Sequence, residues 1–181
     1  MKKYTLVGKS ILVLLTTVIL THQVYAETLW EKYLAMPDKV NASRVTRIEY
    51  SPGGIPDGYL YSESDMQILQ NQVLAADSEA FHLAYKLLVF YQTGALAEEL
   101  IMIMARTIRT NPLFFLTSVK RIKPERHYLE SILLTPGLEY VDRYEAKRYE
   151  LRMRFKAIES IRHEDIVKYQ HLCLGILKQR I

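Results

Sequence analysis

Three features of this 181-residue sequence predict an all-α protein. Its composition, 49% hydrophobic and 24% charged, is typical of a globular chain and not of a disordered or polytopic membrane one. Beyond residue 65, apolar residues recur at the three- and four-residue spacing of a helix face. The interruptions are short and carry residues that begin or end helices. One domain is the default at this length.

Residues 1–26 have the features of a secretory signal peptide. Three lysines precede an apolar core at residues 11–20, and Ala26 ends a cleavage site of small or tolerated residues before Glu27. The core is short against the roughly 20 residues that span a bilayer, which favours cleavage after Ala26 over an uncleaved anchor. We therefore expect a periplasmic or secreted protein.

Cleavage changes the charge of the chain. Residues 1–26 hold three lysines and no acid, so the remaining 155 residues carry a formal net charge of +1 and not +4. Nucleic-acid binding loses its electrostatic support, and no nucleic-acid partner is expected. Cys173 is the only cysteine, so no intramolecular disulfide can form. Small secreted eukaryotic domains are usually rich in cysteine, and bacterial export is therefore the better interpretation.

Residues 27–64 are predicted to form a short helix and a loop. An amphipathic stretch at 28–36 stops at Pro37, and residues 44–50 alternate only weakly between apolar and polar. Residues 51–58 contain two prolines and three glycines, which cannot continue a helix. We favour an irregular loop there over a small hairpin.

The helical domain is predicted to span residues 65–181. It begins with a helix capped by Ser62 or Ser64, and Asp77 caps the next one. Gly94 is expected to close that second helix as a left-handed residue. The predicted helices of this domain cover residues 65–76, 77–94, 95–110, 111–122, 123–134, 138–161 and 164–178.

The turns between these helices are very short, so neighbouring helices are expected to pack antiparallel. Asn111 and Pro112 form a cap followed by proline at the first helical position, and Lys123 and Pro124 repeat the pattern. About seven helices result. The rhythm of breaks over residues 65–122 resembles a HEAT-like helical array in architecture, and a compact bundle fits almost as well.

The helix predicted at residues 95–110 is expected to lie at the centre of the fold. Its middle, residues 100–105, is apolar on every side. A helix that is apolar all round is buried on more than one side.

Metal and cofactor sites are not predicted. His163 and His171 lie eight residues apart on one helix, a rise of about 12 Å, which is too far for both rings to bind one ion easily. The ordinary alternative is a histidine at a helix start near Glu164 and a separate surface or interface histidine. Cys173 lies in an apolar stretch and is expected to be a buried structural thiol.

Catalytic motifs are scarce. No Gly-x-Ser-x-Gly elbow or phosphate-binding loop occurs. A glycan-cleaving pair of carboxylates, Glu98 with Glu79 or Asp142, is conceivable, but such a pair needs a set separation across a cleft. Glu98 and Glu99 also stand at a predicted helix start, where the dipole favours acids without any catalysis.

Two features suit binding. Ile55, Tyr59 and Tyr61 stand on the Pro/Gly loop, where exposed aromatics would contact a partner, although the same residues would suit a linker packed onto the helices. Residues 142–162 are dense in charge, and Arg148 and Arg152 are the candidate contacts there. This segment is mostly predicted as a solvated face, with a basic patch for lipid headgroups or anionic glycan as the sharper interpretation.

These observations favour an exported, all-helical protein without cofactor or catalysis that acts by protein–protein interaction. An envelope adaptor or an inhibitor/immunity-type partner of another envelope or secreted protein is the expected role. The alternatives are an envelope-acting hydrolase that uses carboxylate or histidine residues, and a protein that binds a membrane surface without spanning it.

Overall fold

The computed structural model describes residues 28–47, 62–136 and 143–181. Within these ranges it contains nine α-helices, one 3₁₀ turn and no strand, which confirms the predicted all-α class. The predicted signal peptide and the residues Ile55, Tyr59 and Tyr61 lie outside the described ranges. The helices are α1 (Leu29–Ala35), α2 (Lys39–Thr46), α3 (Glu63–Leu74), α4 (Ser78–Tyr91), α5 (Ala95–Thr110), α6 (Pro112–Ile122), α7 (Arg126–Leu134), α8 (Tyr144–Glu159) and α9 (Val167–Lys178), and the 3₁₀ turn Glu164–Ile166 precedes α9.

Helix α5 lies at the centre of the fold, as predicted. It contacts α3, α4, α6, α7 and α8, and its Leu100, Ile103 and Met104 are fully buried. Helix α9 packs back onto α6, α7 and α8. In a helical array each repeat contacts only its neighbours along the chain. The contacts of α5 and α9 therefore identify the compact arrangement, and not the HEAT-like array, as the observed architecture.

Helix α2 was not predicted. The sequence of residues 44–50 alternates weakly, but α2 begins earlier, after Asp38, whose Oδ1 accepts a hydrogen bond from the Asn41 amide at 2.8 Å. Ala42 and Val45 are fully buried, and α2 packs against α1 and α4. So few apolar residues make only a faint helical pattern, which explains why the sequence alone does not reveal this helix.

Two of the predicted caps in the first half are confirmed, and a third residue has a different role. Ser62 caps α3 and Asp77 caps α4. Gly94 was predicted to end α4, but α4 ends at Tyr91, and the C-cap residue Gln92 takes a positive φ of 56°. Gly94 instead precedes α5 with φ 92° and ψ 178°, a conformation that glycine adopts without strain.

The two proline dipeptides differ. Asn111 caps α6 through its Oδ1, which accepts from the Phe114 amide at 3.1 Å, as predicted. The prediction at Lys123 was wrong, because Lys123 ends α6 in the left-handed conformation and α7 begins at Arg126. Likewise α8 begins only at Tyr144, later than the predicted residue 138, since Arg143 is not helical.

Two further structural findings concern membrane-spanning helices and the cysteine. None of the helices in the described ranges is long and apolar enough to cross a bilayer. Cys173 is fully buried in α9, and this burial raises the pKa of its thiol to about 12. The prediction that this thiol is buried is thereby confirmed.

Candidate binding groove

Helix α8 carries most of the charged segment that the sequence predicted as a solvated face, and the structure divides it between two environments. Glu150 and Arg154 are buried, with exposed fractions of 6% and 4%. Arg152 is exposed, and Arg148 is half-buried. Most of the charged side chains of α8 are therefore exposed, as predicted, and these two are the buried exceptions.

The buried carboxylate lies between two guanidinium groups. Arg154 Nε donates to Glu150 Oε1 at 3.1 Å, and Arg109 Nη1 of α5 donates to Glu150 Oε2 at 2.8 Å. A buried charge is tolerated only when it is paired and hydrogen-bonded. The ion pair between Arg109 and Glu150 thus joins α8 to the central helix α5.

Arg154 also satisfies the end of α7. Its Nη1 donates to the carbonyl oxygens of Ile132, Leu133 and Thr135 at 3.3, 3.0 and 2.9 Å. The last carbonyls of a helix have no partner within it, and the helix dipole favours a cation at that end. The only sequence signal for Arg154 was its four-residue spacing from Glu150, which is equally common on solvated faces.

The outer side of α8 borders a groove of about 680 Å³. Its walls come from the first two turns of α8, the end of α7 and the residues that follow α9. We call it the basic groove, because three basic side chains surround an apolar floor and no acidic side chain lies among its described lining residues. The residues that define it are Leu134, Tyr144, Lys147, Arg148, Leu151 and Arg180.

Tyr144 and Arg148 form the centre of this surface. The Tyr144 side chain is 70% exposed, and the Arg148 guanidinium carbon lies 5.8 Å from the centroid of its ring. A guanidinium at this distance is attracted by the ring and restrains it. Lys147, Arg148 and Arg180 bring three positively charged side chains to the lining of the groove.

The two arginines predicted as contacts, Arg148 and Arg152, lie in different surroundings. Arg148 lines the basic groove, whereas Arg152 is exposed on the same helix and does not line it. The groove itself is invisible in the sequence, since it joins Leu134, Arg148 and Arg180, which lie far apart along the chain. Only the packing of α7, α8 and α9 brings them together.

The two histidines share one hollow. His163 and His171 line a cavity of about 420 Å³ together with Glu164, and were expected to be separate surface residues. They do not lie on one helix as predicted, because His163 is extended and precedes the 3₁₀ turn, whereas His171 lies near the start of α9. No group of three or more His, Cys, Asp or Glu side chains suited to a metal ion occurs in the part of the chain that the structure describes.

The candidate carboxylates do not share a cleft. Glu98 and Glu99 line a hollow of about 310 Å³ at the start of α5. Glu79 lines a different hollow, near α2, and its carboxylate accepts a hydrogen bond from Arg121. Asp142 lies outside the described residues. The structure therefore does not bring Glu98 and Glu79 together as a glycosidase pair requires.

Comparison with protein-family models, with curated proteins and with solved structures found no match to this chain.

Proposed function

We propose that this chain is an exported binding protein that contacts another envelope or secreted protein through the basic groove. The observation that carries the proposal is the exposed Tyr144 beside Arg148, at the rim of an apolar floor. The amino-terminal sequence at residues 1–26 supports export. An adaptor or an inhibitor of another envelope protein is the role that such a surface serves.

The residue types at the groove favour a protein partner. Tyrosine and arginine dominate the binding energy of protein interfaces, where they anchor in desolvated pockets. Leu151 of the floor is 3% exposed and the basic side chains surround it. A complementary partner would place an apolar side chain on this floor and acidic side chains around it.

The groove is held in shape from behind. Arg154 ties the end of α7 to α8, and Glu150 ties α8 to Arg109 of α5. Two of the walls of the groove are α7 and α8, so their relative position is set before a partner arrives. A preorganised surface loses less conformational entropy on binding.

Photo-crosslinking in cells tests the proposal. A benzoyl-phenylalanine replaces Tyr144 in one full-length chain and Tyr149 in another. Tyr149 is the matched control, because it is 60% exposed on the same helix but does not line the groove. We expect a single cross-linked partner from position 144 and none from position 149, on a chain recovered from the periplasm that begins at Glu27. Equal products from both positions, or none, would overturn the proposal.

A charge-reversal pair tests the same surface by affinity for the cross-linked partner. Arg148→Glu and Arg152→Glu change the net charge equally, but only Arg148 lines the groove. We expect Arg148→Glu to weaken binding on the order of a hundredfold, as hot-spot replacement does, and Arg152→Glu to change it little. Equal weakening by both variants would indicate a long-range charge effect and would contradict a contact in the groove.

A further inference from the structure

A second surface, at α1 and α2, has a one-sided charge. All the charged residues that are exposed between residues 28 and 47 are basic. The two acidic residues of that range, Glu31 and Asp38, are half-buried and accept hydrogen bonds from the Thr28 and Asn41 amides at 2.6 and 2.8 Å. The exposed basic residues are Lys32, Lys39, Arg44 and Arg47.

Two apolar side chains stand among these cations. Met36 is 60% exposed and Val40 is 59% exposed. The opposite side of α2 is occupied, since Ala42 and Val45 are fully buried and α2 packs against α4. We call the outward surface the amino-terminal patch and define it by Met36, Lys39, Val40, Arg44 and Arg47.

Four of the five residues that define the patch lie close together. Lys39, Val40, Arg44 and Arg47 line one shallow hollow of about 360 Å³. The one acidic residue among its described lining is Glu79, which is paired with Arg121. The carboxylate therefore does not neutralise the three cations, and the hollow remains electropositive.

We propose that the amino-terminal patch docks on an anionic phospholipid surface. Basic side chains with exposed apolar neighbours on a helix are the composition of interfacial membrane contacts, in which the apolar groups enter the headgroup boundary and the cations attract anionic lipids. The long stems of lysine and arginine let their charges stay in the headgroup layer while α2 approaches it. This docking is independent of the basic groove and goes beyond the proposed function.

The shape of the patch favours a lipid surface over a protein segment as its binding partner. In the basic groove the apolar floor is recessed, with Leu151 only 3% exposed, so it would receive an inserted side chain. In the patch Met36 and Val40 project outward, each nearly three-fifths exposed. Projecting apolar side chains are suited to insertion into a soft lipid boundary. A free phosphate would need the cations but not Met36 or Val40.

Vesicle sedimentation tests the proposal with protein purified after expression of the full chain. We expect binding to vesicles that contain phosphatidylglycerol, loss of that binding at high salt and no binding to phosphatidylcholine alone. Lys39→Glu with Arg44→Glu should weaken binding about tenfold or more. The matched control is Arg152→Glu with Lys156→Glu, which reverses two exposed charges on α8 outside the groove lining.

A third variant isolates the apolar contribution. Val40→Ser should weaken binding to phosphatidylglycerol vesicles while its melting temperature stays near that of the parent chain, because Val40 is exposed. A fall in melting temperature as large as that of a core substitution would mean that other residues of this protein cover the patch, and would overturn the proposal.

Four further outcomes would also overturn it. These are absence of binding to phosphatidylglycerol, equal binding to both vesicle types, equal weakening by the α8 control pair, and displacement by millimolar inorganic phosphate at constant ionic strength. The last would identify a site for free anions. Binding of an acidic peptide that Lys39→Glu with Arg44→Glu abolishes, without vesicle binding, would identify a protein partner instead. None of these results bears on the groove, so the two proposals fail separately.

Discussion

The first six helices and the last three satisfy their ends in different ways. Five of the first six begin with a side chain that accepts a hydrogen bond from the first turn of its own helix, and α5 is the exception with Gly94 before it. Helices α7, α8 and α9 begin without any side-chain cap. The five capping residues are Thr28, Asp38, Ser62, Asp77 and Asn111.

The carboxyl ends of α7 and α8 are instead capped by a side chain of the helix that follows each of them. Arg154 of α8 donates to the final carbonyls of α7. Gln170 of α9 donates through Nε2 to the carbonyl oxygens of Ile158 and Ile161, at the end of α8, at 2.8 and 2.9 Å. A local cap can form in an isolated helix, whereas these caps exist only once the helices have packed. Stability in the last three helices is therefore tied to tertiary structure.

The largest expected effect comes from breaking the cap that also pairs a buried charge. Arg154→Met keeps an unbranched apolar stem in place of the arginine stem but leaves Glu150 with Arg109 alone and removes the donor from the α7 carbonyls. We expect the free energy of unfolding to fall by about 3–5 kcal/mol, as when one partner of a buried pair is removed. Urea denaturation followed by circular dichroism measures it.

The control lies two residues away. Arg152→Met removes the same type of side chain from the exposed face of α8 and should change the free energy of unfolding by about 0.5 kcal/mol or less. Equal effects of the Arg154 and Arg152 variants would show that the buried network adds nothing beyond an ordinary surface arginine. The contrast between the two groups of helices would then fail.

A smaller effect is expected from a local cap. Asp77 Oδ1 accepts from the amides of Glu79 and Ala80 at 2.8 and 3.2 Å, and Asp77→Ala removes both bonds. The expected loss is about 1 kcal/mol in the free energy of unfolding, and Asp77→Asn, which keeps an acceptor, should lose less. A loss for Asp77→Ala that matches Arg154→Met would contradict the ranking of local below tertiary caps.

The smallest expected effect is a pH dependence within α4. The pKa of His82 lies below its usual 6.5, and burial of the imidazole is the largest cause. The positive charges of Arg121 and Lys86 lower the pKa further, and the carboxylate of Glu79 opposes them. The imidazole of His82 therefore binds a proton more readily in the unfolded chain than in the folded one. Its contribution to the stability of the folded state is complete above about pH 6.5 and falls as the pH drops toward the folded pKa. Melting temperatures should decline less between neutral and mildly acidic pH in His82→Gln than in the parent chain. Parallel declines would exclude His82 as the cause.

The sequence predicted the helical part of the candidate site only in outline. The charge density of α8 and the candidacy of Arg148 came from composition and position alone. The division of α8 into Glu150 and Arg154 on one side and Arg152 on the other did not, because the four-residue spacing of Glu150 and Arg154 is equally common on a solvated face. Their difference lies in what α5 and α7 place against them.

Errors at helix ends have a related cause. Lys123 was predicted to begin a helix because a proline follows it, but it ends α6 in a left-handed conformation, which the fold tolerates at that corner. Gly94 was assigned to the wrong side of its turn, since a glycine with positive φ serves either side equally well. In both cases the residue type correctly indicated a break between helices. It did not indicate whether the residue ends one helix or precedes the next.

By itself the sequence determined the all-α class, the central position of α5 and the caps at Asp77 and Asn111. These depend on residues within a few positions of one another, or on a helix that is apolar all round and must therefore be buried. Tertiary structure decided that the helices close into a compact arrangement, that Arg154 is buried and that Arg148 borders a groove. Burial of a charge and the shape of a groove depend on distant helices, and no local pattern in the chain encodes which helix will arrive there.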